Sequence, residues 1–103
     1  MNTKTAVLRL ASLAQESRLA VFRLLVRKGP EGLPAGEIAT RLKIPPATLS
    51  FHLKELTHAG LLHARQEGRF VFYAPDLKVM RGLVDFLTEN CCADSTCPPS
   101  DCC

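Results

Sequence analysis

Residues 37–56 read EIATRLKIPPATLSFHLKEL, and the reading of this stretch decides the fold. Glu37, Ile38, Ala39 and Leu42 recur at helical spacing and predict a short helix entered after Pro34. Pro45-Pro46 stops that helix and starts another, because a proline in the first helical turn lacks only an N–H that had no intrahelical partner. From Pro46 to about Ala59, the residues Leu49, Leu53 and Leu56 mark a buried face. Two helices therefore follow one another across a very short turn.

The pattern extends in both directions. Upstream, Ala6, Val7, Leu10, Leu13 and Ala14 predict one helix. Leu19, Phe22 and Val26 predict a second, running from Glu16 to Lys28 and closed by Gly29-Pro30. Downstream, Gly60 ends the central pair and the period changes. Leu62-His63-Ala64-Arg65 and Phe70-Val71-Phe72-Tyr73 bracket Gln66-Glu67-Gly68-Arg69, which predicts a β-hairpin with Gly68 supplying the positive φ of a longer turn. Asp76 then caps a last helix with an apolar stripe of Leu77, Met80, Leu83, Val84 and Leu87, broadened by Val79 and Phe86. Such a stripe is wide for an edge helix of so small a domain. It predicts a homodimer in which the same helix of a second subunit covers it, joined by Leu8 of the first helix. The alternative is a face absorbed by its own core.

Four helices, a hairpin and a last helix make a mainly α winged helix-turn-helix over residues 1–90, dimerising through its terminal helices. In that arrangement the second helix of the pair enters the major groove of double-stranded DNA, and its early residues face base edges. Ala47, Thr48, Ser50, Phe51, His52 and Lys54 are the exposed candidates there. Thr48 and Ser50 suit phosphates or bases, Lys54 suits a phosphate, and Ala47 or Phe51 suits a thymine methyl. Arg65 and Arg69 in the wing are the candidates for the backbone or minor groove.

Charge agrees with this. Residues 1–75 hold eleven Lys or Arg against five Asp or Glu, a balance of +6, whereas residues 76–103 hold two against five, a balance of −3. The body suits a polyanion and the tail does not. At 103 residues the chain supports one small domain, which oligomerisation often steadies. No apolar run is long enough for a membrane span, and the N-terminus lacks a signal-peptide core, so a cytoplasmic location is expected. No nucleophile–base arrangement or phosphate-binding glycine loop appears, so an enzyme is not expected. His58 and His63 match no metal-ligand spacing and are expected to be ordinary surface or partly buried residues.

The run Leu13-Ala14-Gln15-Glu16-Ser17-Arg18-Leu19 resembles the early helices of the ArsR/SmtB metal-responsive repressors. Pro46-Ala47-Thr48-Leu49-Ser50-Phe51-His52-Leu53-Lys54-Glu55-Leu56 resembles their recognition helix. Gly60-Leu61-Leu62, with Arg65, Gly68-Arg69 and Tyr73, resembles their wing. The resemblance spans nearly all of residues 1–90. It implies a homodimeric repressor that binds an inverted-repeat operator, leaves it when an inducer binds, and so derepresses genes that handle the inducer. The chain departs from the family at the usual sensing positions. Pro34 and Gly36 stand where many arsenic-responsive members carry a Cys-x-Cys motif, and the last helix offers Asp76, Asp85 and Glu89 but no His for a zinc site. Pro45 replaces a common Ser cap, and Phe51 a commonly polar residue.

The soft ligands all lie in the tail, residues 91–103, which holds all five cysteines. Cys91 and Cys92 are adjacent at the expected end of the last helix, and Cys97 follows after four small or short residues. Three thiolates suit a soft three-coordinate ion, so Cys91, Cys92 and Cys97 are the expected ligands of trivalent arsenic or antimony as inducer. This Cys-Cys-x4-Cys resembles a variant of the family with cysteines just after the last helix. A methylated trivalent arsenical needs only two of them. Cys102 and Cys103, beyond Pro98-Pro99, are expected to be accessory, and no permanent cofactor is expected. Other readings of the same thiols are a redox switch, a zinc or cadmium site, a metal-carrier tail, and ordinary thiols in an unstructured end.

Overall fold

The computed structural model describes residues 1–94. The chain runs α1 (Thr3–Leu13), α2 (Glu16–Lys28), β1 (Leu33–Pro34), α3 (Ala35–Leu42), α4 (Pro46–His58), β2 (Leu62–Glu67), β3 (Phe70–Pro75) and α5 (Leu77–Thr88). Each boundary has a local cause. Asn2 and Gln15 accept N–H bonds from Thr5 and Arg18, both at 2.8 Å, and so cap α1 and α2. Gly29 ends α2 at φ 94, a conformation that costs glycine little. Asp76 accepts the Val79 N–H at 3.1 Å and caps α5, as its sequence context predicts.

Between α3 and α4 the chain turns within three residues. Lys43 takes a left-handed φ of 55, and the Lys43 and Ile44 N–H groups both close on the Ala39 carbonyl. Pro46 begins α4 with no side-chain cap. The pair is locked by burial: Ile38 on α3 and Leu49, Leu53 and Leu56 on α4 are at most 2% exposed. They meet Val21, Phe22 and Leu25 of α2 in one core, each large side chain contributing about 1.5–3 kcal/mol.

Two details of the sheet differ from the sequence reading. A short strand, β1, adds to the hairpin, giving the antiparallel order β1-β3-β2 with Leu33 opposite Tyr73. Two residues, Leu33 and Pro34, carry no alternation, so periodicity does not reveal them. The hairpin turn is also tighter than expected. Glu67 pairs with Phe70, leaving only Gly68 and Arg69, with Gly68 at φ 61 in the first central position, where a type II′ turn wants glycine.

The terminal helices leave an apolar groove. Val7 and Leu8 on α1 are 58% and 53% exposed, and Val84 and Leu87 on α5 are 50% and 59% exposed. A cavity of about 450 Å³ runs between α1, α2 and α5, lined by Leu10, Leu13, Leu19, Phe22, Met80 and Leu87 among others. Leu83 is a correction within the predicted dimer stripe. It is 5% exposed and faces its own protomer, and Met80 also packs partly on that core.

Candidate nucleic-acid interface and terminal cysteine pair

Helix α4 is amphipathic, with its leucine face inward. Ala47, Thr48, Ser50 and Lys54 are exposed, as expected, on the side away from the core. Phe51 is also exposed, at 55%, an unusual position for a large aromatic on a solvated helix. The wing stands beside this face, with Arg69 in its two-residue turn and Phe70 next to it, 61% exposed.

His52 is not part of this surface. It is 6% exposed and lies on the inner side of α4, where its Nδ1 sits 3.5 Å from Arg18 Nη1. A guanidinium can only donate, so Nδ1 is the acceptor and the proton of the neutral ring is on Nε2. Burial, and then the Arg18 charge, hold its pKa below the ordinary 6.5. Arg18 also donates from Nε to the Ser12 carbonyl at 2.6 Å, and Ser12 Oγ donates to the Glu55 carbonyl at 3.5 Å. This polar link joins the end of α1, the start of α2 and the middle of α4. The sequence reading missed Arg18, because nothing in helical periodicity marks a half-buried cation that serves a neighbouring helix.

Arg65 also differs from expectation. Its Nη2 donates to the Glu31 carbonyl at 2.9 Å, its Nε lies 3.3 Å from Glu67, and its guanidinium stacks 5.2 Å above the Phe72 ring. It fastens the wing to the loop after α2. Arg69 and Lys54 have no ion-pair partner among the described residues.

A crevice of about 380 Å³ separates α4 from the wing. Ser50, Lys54, Thr57 and His58 line one wall, and Ala64 and Tyr73 the other. Thr57 and Tyr73 were not among the expected site residues. The spacing 50, 54, 57, 58 is a polar stripe at helical period, and that signal was present in the sequence.

At the far end of α5 the chain turns at once. Asn90 and Cys92 adopt left-handed φ of 59 and 61, and Cys91 and Ala93 donate N–H bonds to Thr88 and Asn90, both at 3.0 Å. The Cys91 and Cys92 sulfurs lie 3.8 Å apart, Cys91 exposed and Cys92 half-buried. Cys97, Cys102 and Cys103 lie outside the described residues. His58 and His63 are exposed, and no group of three or more His, Cys, Asp or Glu converges among the described residues. Among the same residues, no helix is long and apolar enough to cross a membrane.

A family model described as a helix-turn-helix domain matches residues 13–65. The transcriptional activator HlyU of Vibrio cholerae is 31% identical over 91 residues, covering 88% of this chain and 82% of that protein. The chain belongs to the ArsR family of helix-turn-helix transcriptional regulators. Its resemblance to solved structures extends over the whole fold. HlyU from Vibrio cholerae N16961 superposes with a TM-score of 0.67 at 33% identity, covering 84% of this chain and 97% of that one. A homodimeric winged helix-turn-helix DNA-binding domain from Mycobacterium bovis gives 0.67 at 27%, covering 84% and 81%. A structure described as a "possible transcriptional regulator for arsenical resistance" gives 0.62 at 29%, covering 85% and 96%. As an ArsR-family member the chain is a DNA-binding regulator with a winged helix-turn-helix and is not an enzyme.

Proposed function

We propose that this ArsR-family protein is a homodimeric repressor that binds an inverted-repeat operator and is released by trivalent arsenic or antimony held on its C-terminal cysteines. The observation that carries this reading is the Cys91–Cys92 pair, with sulfurs 3.8 Å apart directly after α5. One soft ion can reach both without unwinding the helix. The left-handed Cys92, rare for a residue with a Cβ, holds the pair in a tight turn; backbone in that region tends to gather at functional sites. Cys92 is disulfide-bonded in this structure, so the reading applies to its reduced form, in which metalloid binding displaces the thiol protons and does not require preformed thiolates. Cys97 would complete a three-sulfur site, and Cys102 and Cys103 would be accessory.

Homodimerisation is supported by the uncovered stripe of Val84 and Leu87 beside the α1–α2–α5 groove. Inducer bound at the end of α5 then acts where two subunits meet. Repacking there changes the spacing of two recognition helices on successive major grooves, and loss of that spacing takes the protein off DNA. A swing from almost fully bound to almost fully free needs about 5.5 kcal/mol of differential affinity. Two equivalent sites, each within the usual coupling of about 1–3 kcal/mol, supply it. Release of this kind makes the protein a repressor, although HlyU is described as an activator.

A second reading, a thiol-oxidation switch, draws on the same close approach of sulfurs. The test is operator release in gel shifts with arsenite, methylarsenite, antimonite, zinc, cadmium and peroxide. Trivalent arsenicals are expected to release wild type and to leave Cys91→Ser and Cys92→Ser bound. Variants that still bind DNA and still respond to arsenite refute the inducer site. Release by peroxide alone selects the redox reading, and absence of specific DNA binding leaves only a metal-carrier role.

A further inference from the structure

We infer that Arg18 and His52 are a positioning pair, a latch that aims α4 at DNA and that acid opens. This rests on DNA reading by α4 and is independent of the inducer. Three helices meet in the latch. Arg18, at the start of α2, donates from Nε to the Ser12 carbonyl at 2.6 Å, which ties it to the end of α1. Its Nη1 reaches His52 Nδ1 on α4 at 3.5 Å. Ser12 Oγ donates to the Glu55 carbonyl at 3.5 Å and Arg9 Nε to the Ala59 carbonyl at 3.0 Å, so α1 grips the C-terminal end of α4 by its main chain. Among the described residues, Arg18 to His52 is the side-chain hydrogen bond that joins α4 to another element through side chains on both sides. The His52 ring also meets the Phe51 ring edge-on, centroids 6.0 Å apart. A shift of His52 therefore reaches a side chain on the DNA-facing surface.

The latch closes in one protonation state only. A guanidinium accepts nothing, so Nδ1 must keep its lone pair. A second ring proton would set donor against donor and charge against charge at a site 6% exposed, and burial and Arg18 both act against it. The elements packed on α4, namely α1, α2, α3 and β2, offer little relief. On α1, Arg9 is committed to Ala59 and Lys4 is exposed. On α2, Glu16 is exposed, Arg23 and Arg27 line the apolar groove, and Lys28 faces Glu31. Glu37 pairs with Arg41 on α3, Glu67 pairs with Arg65 on β2, and His63 is exposed. Within α4, Lys54, Glu55 and His58 are all exposed, and Glu55 and His58 share a hollow with Ser12 and Arg18, where water screens them. A protonated His52 relieves the conflict by leaving Arg18. Leu49 and Leu53 stay in the core and the grips on Glu55 and Ala59 remain, so the fold persists. The N-terminal half of α4, with Ala47, Thr48 and Phe51, is the part whose aim changes.

The test uses the full chain and a duplex chosen by the wild-type protein from a random-sequence pool at about pH 7.5. Affinity is then measured by fluorescence anisotropy in steps down to about pH 5, at constant ionic strength. His52→Asn discriminates, because its amide oxygen takes the place of Nδ1, accepts from Arg18 and does not titrate. Relative to that variant, wild type should weaken as pH falls below 6.5, steepening toward about a hundredfold per pH unit as each subunit of a dimer takes up one proton. Raising the pH should restore binding, and circular dichroism should show the helices kept throughout. His52→Leu, which has no acceptor, should bind about tenfold less tightly than His52→Asn at neutral pH. In free wild type at neutral pH, NMR of the ring nitrogens should find the proton on Nε2. Parallel pH profiles for wild type and His52→Asn overturn the latch, and so does a proton on Nδ1. Helical signal lost in step with binding would make the pair structural only and overturn it too. A pool that yields no preferred duplex refutes sequence reading by α4 itself, and with it any positioning role for the pair.

Discussion

The two wing arginines should separate under substitution, although sequence treats them alike. Arg69 lies in the two-residue turn with no ion-pair partner among the described residues. If it neutralises one phosphate, Arg69→Met removes two contacts from a dimer, and the slope of log K against log salt becomes shallower by about 1.8. Its affinity deficit should then shrink about tenfold between about 50 and about 200 mM salt, with no change in melting temperature. Arg65 is committed elsewhere, to the Glu31 carbonyl at 2.9 Å, to Glu67 at 3.3 Å and to the Phe72 ring at 5.2 Å. Its side chain is 42% exposed, so its ion pair contributes little. The hydrogen bond and the ring contact together are worth about 1–2 kcal/mol. Arg65→Met should therefore lower the melting temperature by about 5–10 °C and leave the salt slope nearly unchanged. Anisotropy titrations across salt, with thermal melts of each variant, measure both quantities. A shallower slope for Arg65→Met than for Arg69→Met would refute this assignment of roles.

The remaining predictions concern fold, pH and assembly. A Cβ at Gly32 would lie 2.4 Å from the Tyr73 carbonyl oxygen, and φ there is +69, so Gly32→Ala should separate β1 from β3. Urea denaturation should register a loss well beyond the roughly 1–2 kcal/mol of the left-handed φ alone. His52 is held neutral, with its pKa lowered by burial and by Arg18, so the unfolded chain binds its proton more readily. Its stabilisation is complete above pH 6.5 and is lost as pH falls from there toward the folded value. The stability of His52→Gln should be flatter over that window in chemical denaturation at stepped pH. Leu87→Glu, at a site 59% exposed, should give a folded monomer by analytical ultracentrifugation. Leu83→Glu, at a site 5% exposed, should lose the helical circular dichroism of the protomer itself.

The fold was legible because its punctuation is chemical. Gly29, Pro46, Gly60 and Asp76 bound helices where sterics and capping require it, and Glu16–Lys28 matches the expected span of α2. β1 escaped because a two-residue strand has no period, and the hairpin turn was too long by two residues because strand ends are set by pairing with a partner. The groove-facing side of α4 was legible where its leucines fixed the opposite face. His52 was not. It sits one residue from Leu53 on the inner arc, and only the position of Arg18, thirty-four residues away, gives its ring a polar neighbour that makes burial tolerable.

The same logic revises the meaning of the basic excess. Of the eleven cations in residues 1–75, Arg9 and Arg18 donate to main-chain carbonyls of α4's end and α1, at 3.0 Å and 2.6 Å. Lys28, Arg41 and Arg65 face Glu31, Glu37 and Glu67. Arg23 and Arg27 line the apolar groove, and Lys4 lines a hollow with Asn2, Thr5, Val7, Leu8 and Ala11 of the N-terminus and α1. Lys43 in the inter-helix turn, Lys54 and Arg69 are the cations left on the reading side. Three per protomer would give a dimer a salt slope of about −5, far shallower than the count of basic residues suggests. Polar and apolar contacts must then carry much of the specific affinity. That places unusual weight on the exposed Phe51, on Thr48 and on Ser50.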